Sequence, residues 1–252
     1  MSSSQPIGIF DSGIGGLTVA SALRKAMPNE SLIYFGDTAH LPYGDKSKES
    51  IAQYSAEIAQ FLIDKDCKAL IVACNTASAY GFEAVKQVCG QIPCYNVIDP
   101  VVDFLARKSA GQKVGIVGTK GTISSRIYPK KIKATDANIQ VVTQATPLLA
   151  PMIEEGFYNN NISQTVINSY LSKKAFKNIQ TLVLGCTHYP LIKSEVENYY
   201  DASVTIVDSA EVVARHVATN LKKRKKAAPS DAKPSLRFIV SDFTRSFEKS
   251  TR

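Results

Sequence analysis

Nine short apolar, β-branched runs punctuate this chain: PIGIF (6–10), SLIYF (31–35), ALIVA (69–73), YNVI (95–98), KVGIVG (113–118), IQVV (139–142), TLVLG (181–185), VTIV (204–207) and LRFIV (236–240). Most are separated by stretches whose apolar residues fall at helical spacing, such as LTVASALRKAM (17–27) and SIAQYSAEIAQFLI (50–63). Parallel strands need a crossover of a dozen or more residues, usually a helix, and both sheet faces are then covered. Strand alternating with helix therefore predicts an α/β chain built on parallel sheets.

Two pairs of motifs suggest that the unit occurs twice. IGIFDSGIGGLT (7–18) aligns loosely with VGIVGTKGTISS (114–125) at an offset of 107, and IVACNTASA (71–79) resembles LVLGCTHYPL (182–191), the cysteines standing 112 apart. Similar offsets for separate motifs point to duplication, although any two α/β halves could mimic it. The expected architecture is two pseudo-symmetric parallel-sheet α/β domains facing each other across a central active-site cleft. Residues 1–98 plus 208–252 would form the first domain and 99–207 the second. The segment KKAAPSDAKP (225–234), with Pro229 and Pro234, reads as a helix stop and connection, after which the last strand returns to the earlier sheet. Ligands of open parallel sheets collect beyond the strands' carboxyl ends, where all four motifs fall.

With 252 residues and 44% apolar composition the chain can bury a core. No apolar run approaches the roughly 20 residues of a membrane span, and the N-terminus MSSSQPIGIF lacks secretory features, so a cytoplasmic location is expected. Five scattered cysteines, Cys67, Cys74, Cys89, Cys94 and Cys186, fit neither a disulfide framework nor a zinc finger. The net charge of +8 falls to +3 without the run Lys222-Lys223-Arg224-Lys225-Lys226. That run follows a helical pattern and reads as a solvated helix end, with a nucleic-acid contact as the alternative.

Asp11-Ser12-Gly13-Ile14-Gly15-Gly16 follows a strand and opens a helix, but Thr18 stands where a dinucleotide fingerprint needs its third glycine. The turn could hold an anionic or amino-bearing ligand, or the glycines could serve only the turn. GDTAHLPYGD (36–45) reads as a lid loop or an ordinary turn. His40 and His216 have no partner pattern. Cys74 and Cys186 carry the strongest signal: each ends a buried strand where a helix should start, a place that favours thiolate. Cys67, Cys89 and Cys94 lack that context and read as packing residues. Two equivalent thiols from related halves suit a reaction whose substrate and product are near mirror images. In a racemisation one thiolate takes the Cα proton while the opposing thiol delivers one to the other face.

The residues GIFDSGIGGLTV (8–19), YFGDTAHLPYG (34–44), ACNTASA (73–79), PMIEEG (151–156), LGCTHYPLI (184–192) and FIVSDFTRSF (238–247) resemble the cofactor-independent glutamate racemases of the aspartate/glutamate racemase superfamily, over nearly the whole chain. The resemblance implies Cys74 and Cys186 as the acid/base pair, Cys74 acting on D-glutamate and Cys186 on L-glutamate, with Asp11, Glu154 and His188 as auxiliary catalytic groups. Asp11 and His188 are also implied in substrate binding. So are Ser12, Pro42, Tyr43, Gly44, Asn75, Thr76 and Thr187, with Thr119 and Thr122 from the second half. It implies no pyridoxal phosphate, metal or nucleotide, no required nucleic acid or membrane partner, and a role in supplying D-glutamate for peptidoglycan. A homodimer is a compatible assembly. Some members are regulated through an N-terminal extension; only six residues precede the first strand here, so that route is not expected.

Two other readings remain open at this point. One is a racemase of aspartate or another small amino acid, since one methylene separates aspartate from glutamate and packing distinguishes them by only about 1–3 kcal/mol. The other is a noncatalytic module binding nucleic acid or an acidic protein through residues 222–226, which leaves both cysteine turns unexplained.

Overall fold

A computed structural model describes residues 2–135 and 137–243. Its strands are β1 (Ile7–Asp11), β2 (Leu32–Gly36), β3 (Ala69–Val72), β4 (Cys94–Asn96), β5 (Lys113–Gly118), β6 (Gln140–Ala145), β7 (Thr181–Gly185), β8 (Thr205–Asp208) and β9 (Leu236–Val240). The helices are α1 (Leu17–Ala26), α2 (Lys48–Ile63), α3 (Asn75–Tyr80), α4 (Phe82–Cys89), α5 (Asp99–Lys108), α6 (Lys120–Ser124), α7 (Ile127–Lys133), α8 (Leu149–Glu154), α9 (Asn161–Leu171), α10 (Lys193–Tyr199) and α11 (Ser209–Lys223). One sheet has the order β4-β3-β1-β2-β9 and the other β6-β5-β7-β8, and the pairings within each are parallel. All nine apolar runs overlap strands, and the two-sheet α/β architecture is the expected fold class.

Each sheet is covered on both faces. On the first, α1 and α11 pack Val19, Leu23, Val213 and Val217 against Ile7, Ile9 and Ile71, while α2 and α4 seal Phe10, Leu70 and Val72 from the other side. On the second, α5 and α7 bring Val101, Leu105 and Tyr128 onto Val114, Ile116 and Val183, and α9 with α10 covers Leu182 and Leu184.

The chain crosses between the sheets twice. After β4 the Asn96 carboxamide oxygen accepts from the backbone N–H of Ile98 and Asp99, both at 2.8 Å. This turn ends the strand two residues before the apolar run YNVI does, and α5 then packs on the second sheet. After β8 the Asp208 carboxylate caps α11 by accepting from Ala210 N–H at 2.8 Å. The helix packs back on α1, and β9 pairs with β2. At its far end the run 222–226 projects from the fold, Lys222 to Lys225 being exposed. Beyond β9, Ser241 and Asp242 hold the loop that follows β2: Ser241 donates to Asp37 at 2.8 Å and Thr38 donates to the Asp242 carbonyl at 2.5 Å. Residues 244–247 of the motif FIVSDFTRSF lie outside the described residues.

A sealed ion pair ties four segments together. Lys68, at the entry to β3, donates to Glu30 Oε2 at 2.6 Å and to the Ser3 carbonyl, and Glu30 Oε1 accepts from Ala228 N–H at 2.8 Å. Both side chains are at most 1% exposed, so removing one partner strands the other charge. Lys68→Ala should therefore lower unfolding stability by about 3–5 kcal/mol in denaturant titrations. A loss below about 1 kcal/mol, typical of an exposed pair, would contradict this.

Candidate active site

The carboxyl ends of β1 and β3 in one sheet, and of β5 and β7 in the other, deliver the polar motifs to one place between the sheets. Asp11 ends β1 and is fully buried; its carboxylate accepts from Gly13 N–H at 3.0 Å and from the Thr187 hydroxyl at 3.4 Å. Burial raises its pKa, opposed by His188, the Gly13 and Gly16 N–H groups and Thr187. Thr18 donates to the Gly15 carbonyl and to the Thr187 carbonyl, both at 2.9 Å. It is thus a bridge between the halves, where the sequence pattern showed only a missing glycine.

The three glycines of this turn have ordinary negative φ, so left-handed backbone is not what they supply. Close approach is the reason at Gly15: a Cβ there would sit 2.6 Å from Thr187 Oγ1 and 2.7 Å from His188 Nδ1.

Cys74 follows β3 and caps α3, its sulfur accepting from Ala77 N–H at 3.4 Å and donating to Ser12 Oγ at 3.6 Å. The helix start is where the sequence placed it, but the expected thiolate is not. Burial, reinforced by the Asp11 charge, pushes the Cys74 thiol up to about 12, outweighing the Ala77 and Ser12 contacts. A charge on Cys186 is also felt at Cys74 and raises it further. The folded state therefore holds this proton more tightly than the unfolded chain. That contribution to stability is complete below the ordinary thiol value of 9.0 and is lost as pH rises toward about 12. Denaturant titrations of the parent and Cys74→Ser should diverge above pH 9.0, the parent losing about 1.4 kcal/mol more per pH unit. Parallel curves would contradict a protonated resting Cys74.

Cys186 follows β7 in a different setting. No α-helix starts there; Tyr189–Ile192 form a 3-10 turn with Pro190 near its start, and α10 begins at Lys193. In place of a helix N-terminus the sulfur lies 3.6 Å from His188 Nδ1, and His188 Nε2 lies 2.9 Å from Glu154 Oε1 at the end of α8. The Glu154 contact is an ion-pair approach off the N–H axis and not an aligned hydrogen bond. Burial alone would lower the His188 pKa, but Cys186 and Glu154 together lift it well above the ordinary imidazole value.

The neighbouring polar groups come from both halves. Thr76, on α3, shares hydroxyl hydrogen bonds with Thr119 at 2.9 Å and Thr122 at 3.2 Å, and Thr119 Oγ1 caps α6 by accepting from Thr122 N–H. Asn75 accepts from the Tyr128 hydroxyl at 2.8 Å, while its buried Nδ2 has no partner. Tyr43 donates to Asp37 at 2.5 Å, and Gly44 lies against Thr119, where a Cβ would come within 3.1 Å of its side chain. Pro42, joined to Leu41 by a cis peptide bond, is exposed on the rim of that loop. Apart from Pro42, every residue that the family resemblance implies at the site is tied into this cluster. Tyr128 and Thr18 were not singled out, and Glu154 was reached only through the family resemblance.

Cys74 and Cys186 are 6% and 5% exposed, so the halves are closed over both thiols. A cavity of about 1190 Å³ opens behind His188 and Glu154, between α1 and α11, but neither cysteine lines it. Among the described residues no group of three His, Cys, Asp or Glu side chains is arranged to hold a metal ion, and no helix is long and apolar enough to cross a membrane. Cys67 and Cys89 are buried in the first core with Cys94 packed against them, as expected of packing residues.

This arrangement has close relatives. The chain is 46% identical to the glutamate racemase of Geobacter metallireducens over 96% of its own length and 89% of the relative's. It is 41% identical to that of Chlorobaculum tepidum over 99% and 92%. The crystal structure of Francisella tularensis glutamate racemase in complex with D-glutamate superposes with a TM-score of 0.91 at 39% identity, covering 98% of this chain and 92% of that one. A sequence profile of the Asp/Glu/Hydantoin racemase family matches residues 17–217, and with it the chain belongs to that family, among its glutamate racemases.

Proposed function

We propose that the protein interconverts L- and D-glutamate by two-thiol proton transfer at Cα, without a cofactor. The observation that supports this best is the pairing of two sealed cysteines, one from each sheet, standing in unlike settings and near enough that a charge on Cys186 raises the Cys74 pKa. Cys74 is a protonated thiol at rest, suited to deliver a proton; Cys186 faces His188, whose raised pKa supplies positive charge beside the sulfur. In the L-to-D direction Cys186 takes the Cα proton as the thiolate, and Cys74 gives its own proton to the opposite face of the carbanion. The reverse direction exchanges the roles. Hydroxyl and amide donors of Asn75, Thr76, Thr119 and Thr187 would hold the substrate carboxylates. Such preorganised donors stabilise the charge that spreads from Cα into the α-carboxylate. Exclusion of water by the closed halves strengthens each of these contacts.

In this reading residues 1–98 plus 208–252 and residues 99–207 act as the two domains of the cleft. The product enters cell-wall precursors, and the protein works in the cytoplasm. Optical rotation of L-glutamate incubated with the purified, reduced protein and no added cofactor tests the reading: it should decay to zero. Decay with L-aspartate and none with L-glutamate would make the protein an aspartate racemase instead.

A further inference from the structure

Tyr128 lies on α7 beside the second sheet, is 1% exposed, and packs among Val114, Ile116, Val183 and Val101. Its hydroxyl reaches across to α3 of the other half and donates to Asn75 Oδ1 at 2.8 Å. Asn75, directly after Cys74, is 2% exposed, and its Nδ2 is sealed from water without a hydrogen-bond partner. The χ2 torsion of asparagine is broad and roughly two-fold, so the backbone alone does not decide which end of the carboxamide is presented. The phenol decides it. Buried, it has one proton to place, and the Asn75 oxygen takes it; turning the amide over would strand that proton and face an acceptor toward a carboxylate-bearing substrate.

We infer that Tyr128 is a positioning residue for substrate binding: by holding the Asn75 oxygen it leaves the amide NH2 as a donor to a substrate carboxylate, and it makes that donor depend on the seating of the second half. This rests on the proposed glutamate racemisation, and it adds a residue that never touches the substrate. A carboxylate carries its charge before the Cα proton leaves, so an oriented donor holds ground state and transition state nearly alike, and its loss is read chiefly in KM.

Steady-state kinetics of Tyr128→Phe in both directions tests it, with Asn75→Ala and the double variant alongside. KM should rise about tenfold in Tyr128→Phe, the size of one hydrogen bond to a charged group, with kcat within about threefold of the parent. In the Asn75→Ala background the same substitution should change KM by less than about twofold, since the amide it orients is gone. A purely structural role would lower kcat or thermal stability and repeat its effect in the Asn75→Ala background, which overturns the inference. An unchanged KM in Tyr128→Phe overturns it too. Should Tyr128→Phe fail to fold, Tyr128→Met, apolar and without the hydroxyl, is read in the same way. A parent that does not racemise glutamate sinks the functional reading and this inference together, whereas an active parent with an unaffected variant sinks the inference alone.

Discussion

Replacing either Cys74 or Cys186 by serine should lower racemisation in both directions by at least about 10³-fold, because each direction needs one sulfur as base and the other as acid. Serine keeps the shape of the site but has a far weaker acid in place of a thiol whose reference pKa is about 8.5. The equilibrium constant of a racemisation is one, so kcat/KM must fall equally for the two enantiomers in any variant. The two variants should nevertheless differ in partial reactions. Cys74→Ser keeps Cys186 with its His188 and Glu154 contacts, and should exchange the Cα proton of L-glutamate with deuterated solvent. Cys186→Ser keeps Cys74 beside Ser12 and should exchange that of D-glutamate. Proton NMR of the Cα signal reads both. Racemisation near the parent rate in either variant, or exchange of the same enantiomer in both, would contradict the assignment of these cysteines.

Gly15→Ala should lower kcat/KM by about 10²-fold while the protein still folds. The added methyl would lie 2.6 Å from Thr187 Oγ1 and from His188 Cε1, on side chains that are 4% and 6% exposed. The contact must open by nearly an ångström, and displacements of that size at a catalytic group cost about two orders of magnitude. The overpacking itself costs about 1–3 kcal/mol, which a domain of ordinary stability survives. Gly13→Ala is the matched control two residues away. Its methyl would meet Leu41 Cδ2 at 2.9 Å, but Leu41 is 37% exposed and free to swing aside, so activity should stay within a few-fold. Equal losses in the two variants, measured as kcat/KM beside thermal melts, would show that turn flexibility and not contact with Thr187 and His188 sets the requirement.

The strands were legible because parallel strands covered on both faces are written as short β-branched runs, and each run overlaps one. Their ends were less so. YNVI looks apolar to its last residue, yet β4 stops at Asn96 because a side-chain oxygen there captures two backbone N–H groups. The duplicated cysteine turns were legible as a pair, but not their difference. Pro190 goes with a 3-10 turn after Cys186 where Cys74 has a helix, and His188, only two residues on, takes the helix terminus's place. The protonation of Cys74 was hidden for another reason: a helix start is visible in a sequence, while the burial that outweighs it is a property of the closed halves. Glu154 and Tyr128 left no local signal at all. Each acts through a side chain distant along the chain, Glu154 on His188 within the second half and Tyr128 on Asn75 across the two halves, so these contacts show only in the fold.

The most direct test of two opposed thiols is the isotope content of the product in the first turnovers. With L-glutamate in deuterated water and no cofactor, the account predicts that D-glutamate forms carrying solvent deuterium at Cα, while unreacted L-glutamate keeps its proton. The proton removed on one face is not the one delivered to the other. D-glutamate that retains the original Cα proton in the first turnovers would mean that a single base carries it across, and would contradict the account.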